Sequence, residues 1–575
     1  MTDLQEKASS WLAKFALAAF QADIDAVTDC FLPNGWLRDA LVFTWNTRAL
    51  EGRAKIAAYL KDTLPPLHLS NFKLDTEDGL NPEPSLEKGL ATGFTFETLD
   101  RRGHGYAYLL PDGDEWRALS VFMMVSDIKG HEERGHELGT FNGHTLSWEE
   151  VHGARREAIE KNPYVIIVGA GQTGLHIAAR FKQMNIPALV VERHAVVGDQ
   201  WRQRYPTLSL HTTKNHHTLL YQPYPKNWPT YTPRDKVADW LKQYVDSQDL
   251  VVWTKSQVKP GATYDSIAKR WNVVVRRDDQ DVELHPVHVI LATSALGAPR
   301  IPDILGADVF KGAVYHASKY MGGEPYAGKD CIVVGAGNTS ADLCQDLSFR
   351  GAKSVTMVQR SSTCVVHIDT VAGAMAKVYP DGVPYEICDI KFNAMPINLQ
   401  RAMAREREAE MWEKEKPLHD QLRKGGVKLN MGTDGSGQHF LIFERSGGTS
   451  HRVDVGCAPL IESGKVKVRQ GVEIERFTEN GVVFSDGSKQ PADLVIWATG
   501  YLDPRLSHRD IYGAEVVDNT SPFWGLDDEG EIRGVYRPTG HPALWYAGGD
   551  FASSRFMSKQ LALQIKAREL GLCPL

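Results

Sequence analysis

The chain has 575 residues, a formal net charge of −7 and 24% charged residues, with both signs interspersed, which argues against a nucleic-acid or anionic-membrane partner. Its length predicts about three or four domains, and it has neither an apolar run long enough to span a bilayer nor a visible signal peptide. Seven scattered cysteines without a C-x-x-C pair predict no metal site and no dithiol centre, so we expect a reduced, cytoplasmic setting.

Residues 1–150 contain no glycine fingerprint and follow a helix-then-strand order that is typical of an α+β domain. This order resembles the ketosteroid-isomerase-like cone fold. Arg38, Asp39 and His104 form no recognisable acid–base pair, which favours an accessory domain over a second active site. The predicted elements are helices near 8–31 and 56–60, with Trp11, Phe15, Ala19 and Ile24 on one face of the first, and strands at 36–45, 93–99, 104–110 and 115–126.

A first glycine turn follows a charged linker helix. Residues 165–174 read V-I-I-V-G-A-G-Q-T-G, which is a buried strand, a turn and a helix start. Glycine there lets backbone approach a pyrophosphate, and the helix N-terminus supplies donors. The next strand ends at Glu192, and a carboxylate at that point suits a ribose with free hydroxyls, as in FAD or NAD. The fingerprint positions are Gly169, Gly171 and Gly174.

A second glycine turn repeats the pattern with a different ending. Residues 331–340 read C-I-V-V-G-A-G-N-T-S, so a small serine replaces the last glycine. The matching strand ends at Arg360, and an arginine there suits the ribose phosphate of NADP, with Ser361 beside it. The two endings predict two nucleotides, FAD and NADPH. The residues expected at the second turn are Gly335, Gly337, Asn338, Thr339 and Ser340.

Two further motifs narrow the interpretation. Residues 310–320 read F-x-G-x-x-x-H-x-x-x-Y between the two turns, and residues 498–501 read A-T-G-Y after them. This order resembles the flavin-containing monooxygenase family over about residues 162–575. The stretches L-x-L-H at 208–211 and D-V-G at 454–456 resemble the plant YUCCA branch, and the arrangement with an N-terminal cone resembles fungal and bacterial members. Against the family pattern, His211 stands where many members carry an asparagine.

The predicted fold is α/β, with two Rossmann-like dinucleotide-binding domains preceded by a small α+β cone domain at 1–150. An FAD-binding domain, 162–308 and 492–575, is split by an NADPH-binding domain, 309–491. Near its end the chain has an apolar strand, then a glycine pair and Asp550, and then a helix. We expect this C-terminal segment to return to the flavin.

The resemblance implies an NADPH-dependent FAD monooxygenase that forms a C4a-(hydro)peroxyflavin and uses dioxygen to oxygenate a small organic substrate at nitrogen, sulfur or a carbonyl. The alternatives are an NADPH oxidase or reductase without oxygen insertion, a YUCCA-like oxidative decarboxylation of a 2-oxo acid, and a non-enzymatic nucleotide sensor. The sequence indicates neither the substrate nor the oligomeric state.

The resemblance also implies site residues beyond the glycine turns. His316 in the first motif is expected to be structural or to link domains rather than to act as a base. His211 and Lys214 are the catalytic candidates, each with an ordinary structural or solvated role as the alternative. The further FAD contacts implied are Gln200, Trp201, Val258 and Asp550.

Overall fold

The computed structural model describes residues 3–294, 296–443 and 450–573. The N-terminal unit is a seven-stranded sheet of order β2-β1-β7-β6-β5-β3, with β4 paired to β5; β1 and β7 are parallel and the other pairs antiparallel. Its elements are α1 (Asp3–Gln21), α2 (Ile24–Asp29), β1 (Phe31–Ala40), β2 (Thr47–Glu51), α3 (Arg53–Thr63), β3 (Ser70–Leu74), β4 (Glu83–Ser85), β5 (Gly89–Glu97), β6 (Arg101–Asp112) and β7 (Glu115–Ile128).

The helix predicted near 8–31 is two helices. Ala22 takes a positive φ of 53°, which ends α1, and the Asp23 carboxylate accepts from Ala26 N to cap α2. Trp11 and Phe15 still face the sheet, where both rings contact Phe94 of β5. The apolar face was therefore predicted correctly, whereas the break inside it was missed.

The next unit begins with a linker helix and contains the first glycine turn. Its helix α5 starts directly after that turn and is buried along most of its length. The elements are α4 (Trp148–Lys161), β8 (Val165–Val168), α5 (Gln172–Gln183), β9 (Ala188–Val191), α6 (Asp199–Arg202), α7 (Arg234–Ser247), β10 (Val252–Trp253), β11 (Ser256–Val258), β12 (Thr263–Asp265), β13 (Arg270–Arg277), β14 (Gln280–Leu284) and β15 (His288–Leu291).

The second glycine turn lies in a further parallel sheet of order β16-β26-β17-β18-β22, and five consecutive helices are inserted between β19 and β20. The elements are β16 (Ala313–His316), β17 (Asp330–Val334), α8 (Asn338–Phe349), β18 (Ser354–Gln359), β19 (Thr363–His367), α9 (Ile368–Val378), α10 (Tyr385–Ala394), α11 (Ile397–Glu406), α12 (Glu408–Lys414), α13 (Lys416–Lys424), β20 (Leu429–Asn430), α14 (Gln438–Leu441), β21 (Ser450–Asp454), α15 (Cys457–Glu462), β22 (Val466–Gln470), β23 (Ile474–Thr478), β24 (Gly481–Phe484), β25 (Lys489–Pro491) and β26 (Leu494–Trp497).

The C-terminal segment returns to the first parallel sheet. Strand β27 pairs in parallel with β15 and completes the order β10-β9-β8-β15-β27. The predicted α/β class is confirmed, since each of the two five-stranded parallel sheets carries a glycine turn after its central strand. One boundary needs correction, because β26 lies in the second sheet although we placed it with 492–575. The last elements are α16 (Arg509–Tyr512), α17 (Ala514–Asp518), β27 (Leu544–Tyr546) and α18 (Phe551–Glu569).

Helix α10 of the insert holds the three units together. Ile387 and Ala394 pack against Phe122 of the N-terminal sheet in one buried cluster. On another side, Asp389 forms a buried ion pair with Arg555 of α18, at 2.6 Å. None of the described helices is both long enough and apolar enough to cross a membrane.

Candidate functional site

The three glycines of the first turn are required for different reasons. A Cβ at Gly169, where φ is +107°, would lie 2.6 Å from the Ala292 carbonyl oxygen, and one at Gly174 would lie 2.0 Å from that of Gly169. A Cβ at Gly171 would meet, among the described residues, only the Gln200 amide nitrogen at 3.7 Å. Packing within the protein thus requires glycine at positions 169 and 174. Gly171 instead borders open space that a cofactor could fill.

Glu192 lies across this turn. Its buried carboxylate accepts from the Ala170 backbone N–H at 2.8 Å and from the His194 backbone N–H at 2.8 Å. The backbone carbonyl of Glu192 accepts from Ser256 N at 2.8 Å. This bond places strand β11, and with it Val258, beside the C-terminal end of β9. The structure therefore brings the predicted ribose residue and Val258 to one edge of the turn.

Two of the predicted flavin contacts present buried polar atoms at the same turn. Gln200 lies on helix α6, and its amide nitrogen is 3.4 Å from the Ala170 carbonyl oxygen. The Gln200 Oε1 and Trp201 Nε1 atoms are buried, and neither has a hydrogen-bond partner in the described part of the chain. Buried polar atoms are normally satisfied, so this donor and acceptor fit a polar ligand at the turn.

The start of helix α18 meets the start of α5. The Thr173 and Ser554 hydroxyls lie 2.9 Å apart, and the Asp550 carboxylate caps α18 by accepting from Ser553 N at 2.8 Å. Burial raises the pKa of the Asp550 carboxyl, but His216, with Nε2 at 3.4 Å, and the bonds from Ser553 lower that pKa overall. Two helix N-termini and an ionised carboxylate therefore converge near Gly171.

The histidines next to this point were missed by sequence reasoning. His216 pairs with Asp550, and the His217 ring lies 5.7 Å from the Phe551 ring at the start of α18. Burial lowers the pKa of His217 to about 3, and its Nε2 lies 2.8 Å from the Thr232 hydroxyl. The pair H-H in the sequence was the available signal, but nothing local connects it to a helix more than 300 residues later.

The second turn borders a cavity of about 520 Å³. A Cβ at Gly335, where φ is +130°, would lie 2.4 Å from the Ala498 carbonyl oxygen, so glycine is required there by packing. The Ser340 hydroxyl is buried with no hydrogen-bond partner in the described ranges. The predicted residues that line the cavity are Gly335, Gly337, Asn338, Thr339, Ser340, Arg360 and Ser361.

Arg360 stands at the cavity rim, at the end of β18, and its Nη1 lies 3.1 Å from Glu473 Oε1. Glu473 and His451 also line the cavity, and sequence reasoning missed both. Asn338 is already engaged, because its side-chain oxygen accepts from Val453 N at 2.7 Å and ties β21 to the start of α8. The cavity thus combines a glycine turn, a helix N-terminus and an arginine.

The two signature motifs meet through His316. Its Nε2 donates to the Gly500 carbonyl oxygen at 3.0 Å, and its ring lies edge-on to Tyr501 at 5.0 Å between centroids. The Thr499 hydroxyl donates to the Arg300 carbonyl oxygen at 2.5 Å. His316 thus joins the two motifs at the cavity wall, and these contacts fit the structural role expected for it.

The two catalytic candidates make different contacts. His211 Nε2 lies 3.8 Å from Asp342 Oδ2 on helix α8, and Asp342 also accepts from the Tyr205 hydroxyl at 2.6 Å. The Lys214 ammonium donates to the Lys226 carbonyl oxygen at 2.9 Å, a contact that closes a loop. His211 thus lies against the helix that follows the second turn, whereas Lys214 stabilises a loop. A catalytic role for either residue remains a prediction.

Comparison with known proteins gives one family and one fold. Residues 161–504 match the model of the flavin-binding monooxygenase-like family. The indole-3-pyruvate monooxygenase YUCCA1 of Oryza sativa subsp. japonica is 31% identical over 348 residues, which is 59% of this chain and 77% of that protein. The probable indole-3-pyruvate monooxygenase YUCCA9 of Arabidopsis thaliana is 28% identical over 421 residues, 72% of this chain and 89% of that protein.

Solved structures agree on the fold. A cyclohexanone monooxygenase in its open form superposes with a TM-score of 0.52 at 16% identity, covering 72% of this chain and 89% of that one. A complex of OTEMO with FAD and NADP gives a TM-score of 0.51 at 16% identity, covering 72% and 87%. At this identity the likeness concerns the fold alone.

Proposed function

The chain belongs to the flavin-binding monooxygenase-like family and is an oxidoreductase, and we propose that it is an NADPH-dependent FAD monooxygenase acting on a small organic substrate with dioxygen. The observation that carries the proposal is the pair of glycine turns with opposite endings. A buried carboxylate, Glu192, follows the first, and an arginine at a cavity rim, Arg360, follows the second. When bound, the flavin accepts a hydride from a nicotinamide and activates dioxygen, chemistry that side chains do not supply.

The first turn would hold FAD. The backbone at Gly171 and the N-terminus of α5 would receive the pyrophosphate, because the helix end supplies free N–H groups and a positive dipole. Glu192 would accept from the ribose hydroxyls. Gln200 and Trp201 would satisfy their buried polar atoms on the cofactor, and Asp550 would bond it from the start of α18.

The second turn would hold NADPH. Arg360 and Ser361 would bind the 2′-phosphate in a charge-assisted contact, and the backbone at Asn338 and Thr339 would receive the pyrophosphate. The bond between His316 and Gly500 fixes one wall of the cavity beside the second turn. A wall fixed in this way would keep water from the reacting centre.

The substrate is proposed at the level of a class. Oxygenation of a soft nitrogen or sulfur atom or of a carbonyl comes first. A second candidate, oxidative decarboxylation of a 2-oxo acid, is favoured by the relatives, since the similar proteins at 28–31% identity are named indole-3-pyruvate monooxygenases. His211 and Lys214 stay candidates for roles near the substrate.

Gly171→Ala tests where the flavin binds. The variant should fold, because an added Cβ would meet only the flexible Gln200 side chain at 3.7 Å among the described residues. It should nevertheless be purified with little or no flavin, whereas the wild-type protein should be yellow and should oxidise NADPH faster than NADH. Flavin content is measured by absorbance after denaturation, and folding by thermal unfolding.

The matched comparison is Gly174→Ala, whose Cβ would lie 2.0 Å from a backbone oxygen and which should fail to fold. A well-folded Gly171→Ala protein with full flavin content would exclude the first turn as the flavin site. A wild-type protein that prefers NADH would exclude the assignment of the second.

A further inference from the structure

Arg360, the residue proposed to bind the nucleotide phosphate, already has an acidic partner. Its Nη1 lies 3.1 Å from Glu473 Oε1, and both side chains line the 520 Å³ cavity beside the second glycine turn. The two side chains are 68% and 60% exposed, so solvent and ligands reach both. A carboxylate therefore stands where a bound phosphate would have to approach.

The backbone fixes this carboxylate beside Arg360. Strands β18 and β22 run in parallel, and immediately after β22 the Gly471 N–H donates to the Gln359 carbonyl oxygen at 2.7 Å. Glu473 is then held from the other side, because its N–H donates to the Ser485 hydroxyl at 3.2 Å and its carbonyl accepts from Ser485 N at 2.9 Å. Only the side chain of Glu473 is free to turn toward or away from Arg360.

An exposed ion pair of this kind is weak, so a phosphate can displace it. The displacement has a cost all the same. Arg360 must leave Glu473, and a phosphate with nearly two negative charges then lies close to a carboxylate of the same sign. A nucleotide without the 2′-phosphate, such as NADH, does not bind Arg360. It therefore neither breaks the ion pair with Glu473 nor brings a second negative charge close to it.

We propose that Glu473 is a specificity-determining residue that competes with the 2′-phosphate for Arg360 and so limits the preference of this protein for NADPH over NADH. The inference rests on the proposed function, since it takes the second turn as the NADPH site. It differs from an ordinary surface ion pair in one respect, which is that both partners line the cavity.

Glu473→Gln is the direct test, since it removes the charge and keeps the shape. The Michaelis constant for NADPH should fall about two- to fivefold, the range expected from one exposed ion pair, while that for NADH should stay unchanged. Binding of adenosine 2′,5′-bisphosphate, measured by calorimetry, should tighten by the same factor, with AMP unaffected. Both gains should shrink at high salt, because exposed charges are screened.

Glu479→Gln is the matched control. Glu479 is an exposed glutamate in the neighbouring turn between β23 and β24, paired with Lys311, and it is absent from the cavity lining. This variant should change neither nucleotide's Michaelis constant nor the affinity for the bisphosphate. Equal unfolding temperatures of the two variants would show that both are folded.

Arg360→Ala separates the inference from the proposal on which it rests. If Arg360→Ala leaves bisphosphate binding unchanged, the NADPH assignment itself fails. If Arg360→Ala weakens binding but Glu473→Gln leaves it unchanged or weakens it, the assignment stands and the competing role of Glu473 is refuted. In the Arg360→Ala/Glu473→Gln double variant, the gain from Glu473→Gln should shrink, because only the repulsion between the phosphate and the Glu473 carboxylate is left to relieve. A gain as large as the one seen with Arg360 present would contradict competition for Arg360.

Discussion

At the scale of single residues, Glu133 shows how the segment after β7 is fastened to the unit that contains the first glycine turn. Its Oε1 lies 2.6 Å from Arg180 Nη1 on α5 and 2.5 Å from Lys559 Nζ on α18, and Tyr221 donates to its other oxygen. Burial alone would raise the pKa of the Glu133 carboxyl, but the two cations outweigh it and lower the pKa to about 2. Glu133 therefore joins the two helices whose N-termini meet at the first turn.

The low pKa of Glu133 gives a pH dependence with a definite sign. The folded protein binds the proton less readily than the unfolded chain, so Glu133 stabilises the fold above about pH 4.5, and this is lost as pH falls toward 2. Glu133→Gln should lower the free energy of unfolding by about 3 kcal/mol at pH 7, with a difference from wild type that narrows toward pH 3.

Denaturant unfolding between pH 3 and 7 measures this difference. Glu137→Gln is the control, because Glu137 pairs with Arg155 in the same segment but both side chains are partly exposed. Its effect should be small at every pH. A Glu133→Gln deficit that stays constant across the whole range would contradict the low pKa.

At the scale of elements, the glycine turns could be predicted because strand, turn and helix are contiguous within ten residues. The endings at Glu192 and Arg360 follow one strand later and were also within reach of sequence reasoning. Glu473 and His216 were not, because their partners lie 113 and more than 300 residues away and are reached only through the folded sheets. The break at Ala22 was missed because an apolar helical period continues across it.

Helix α10 belongs to the insert between β19 and β20, and it carries the buried contact with α18. Asp389 accepts from Arg555 Nε at 2.7 Å and Nη2 at 2.6 Å, and Arg555 Nη1 donates to the Thr218 carbonyl oxygen at 2.7 Å. Helix α18 begins directly after its cap, Asp550, which lies beside the proposed flavin. Docking of the insert is thereby linked to the position of the helix that would contact the cofactor.

Arg555→Met should destabilise the protein by about 3–5 kcal/mol, because it leaves Asp389 buried and unpaired. The double variant Arg555→Met/Asp389→Leu should recover part of this loss, since it leaves no uncompensated charge. Thermal unfolding and flavin content after purification measure the two effects. A double variant less stable than Arg555→Met would show that the two side chains do not act as a pair.

At the scale of the whole molecule, the N-terminal sheet is joined to both other units. Arg38 of β1 forms a bidentate, buried ion pair with Glu531 of the C-terminal segment, at 2.6 and 2.8 Å. Its cluster with α10 adds an apolar contact. Arg38, one of the three polar residues noted in this part of the sequence, therefore serves an interface. An accessory, cofactor-free role for residues 1–150 remains a prediction.

The most direct test of the central claim is the ratio of oxygenated product to NADPH consumed by the purified protein. We expect NADPH oxidation to speed up with at least one amine, sulfide, ketone or 2-oxo acid, with close to one product formed per NADPH and little hydrogen peroxide released. Hydrogen peroxide equal to the NADPH consumed, with no oxygenated product from any of the four substrate classes, would contradict the account and indicate an NADPH oxidase.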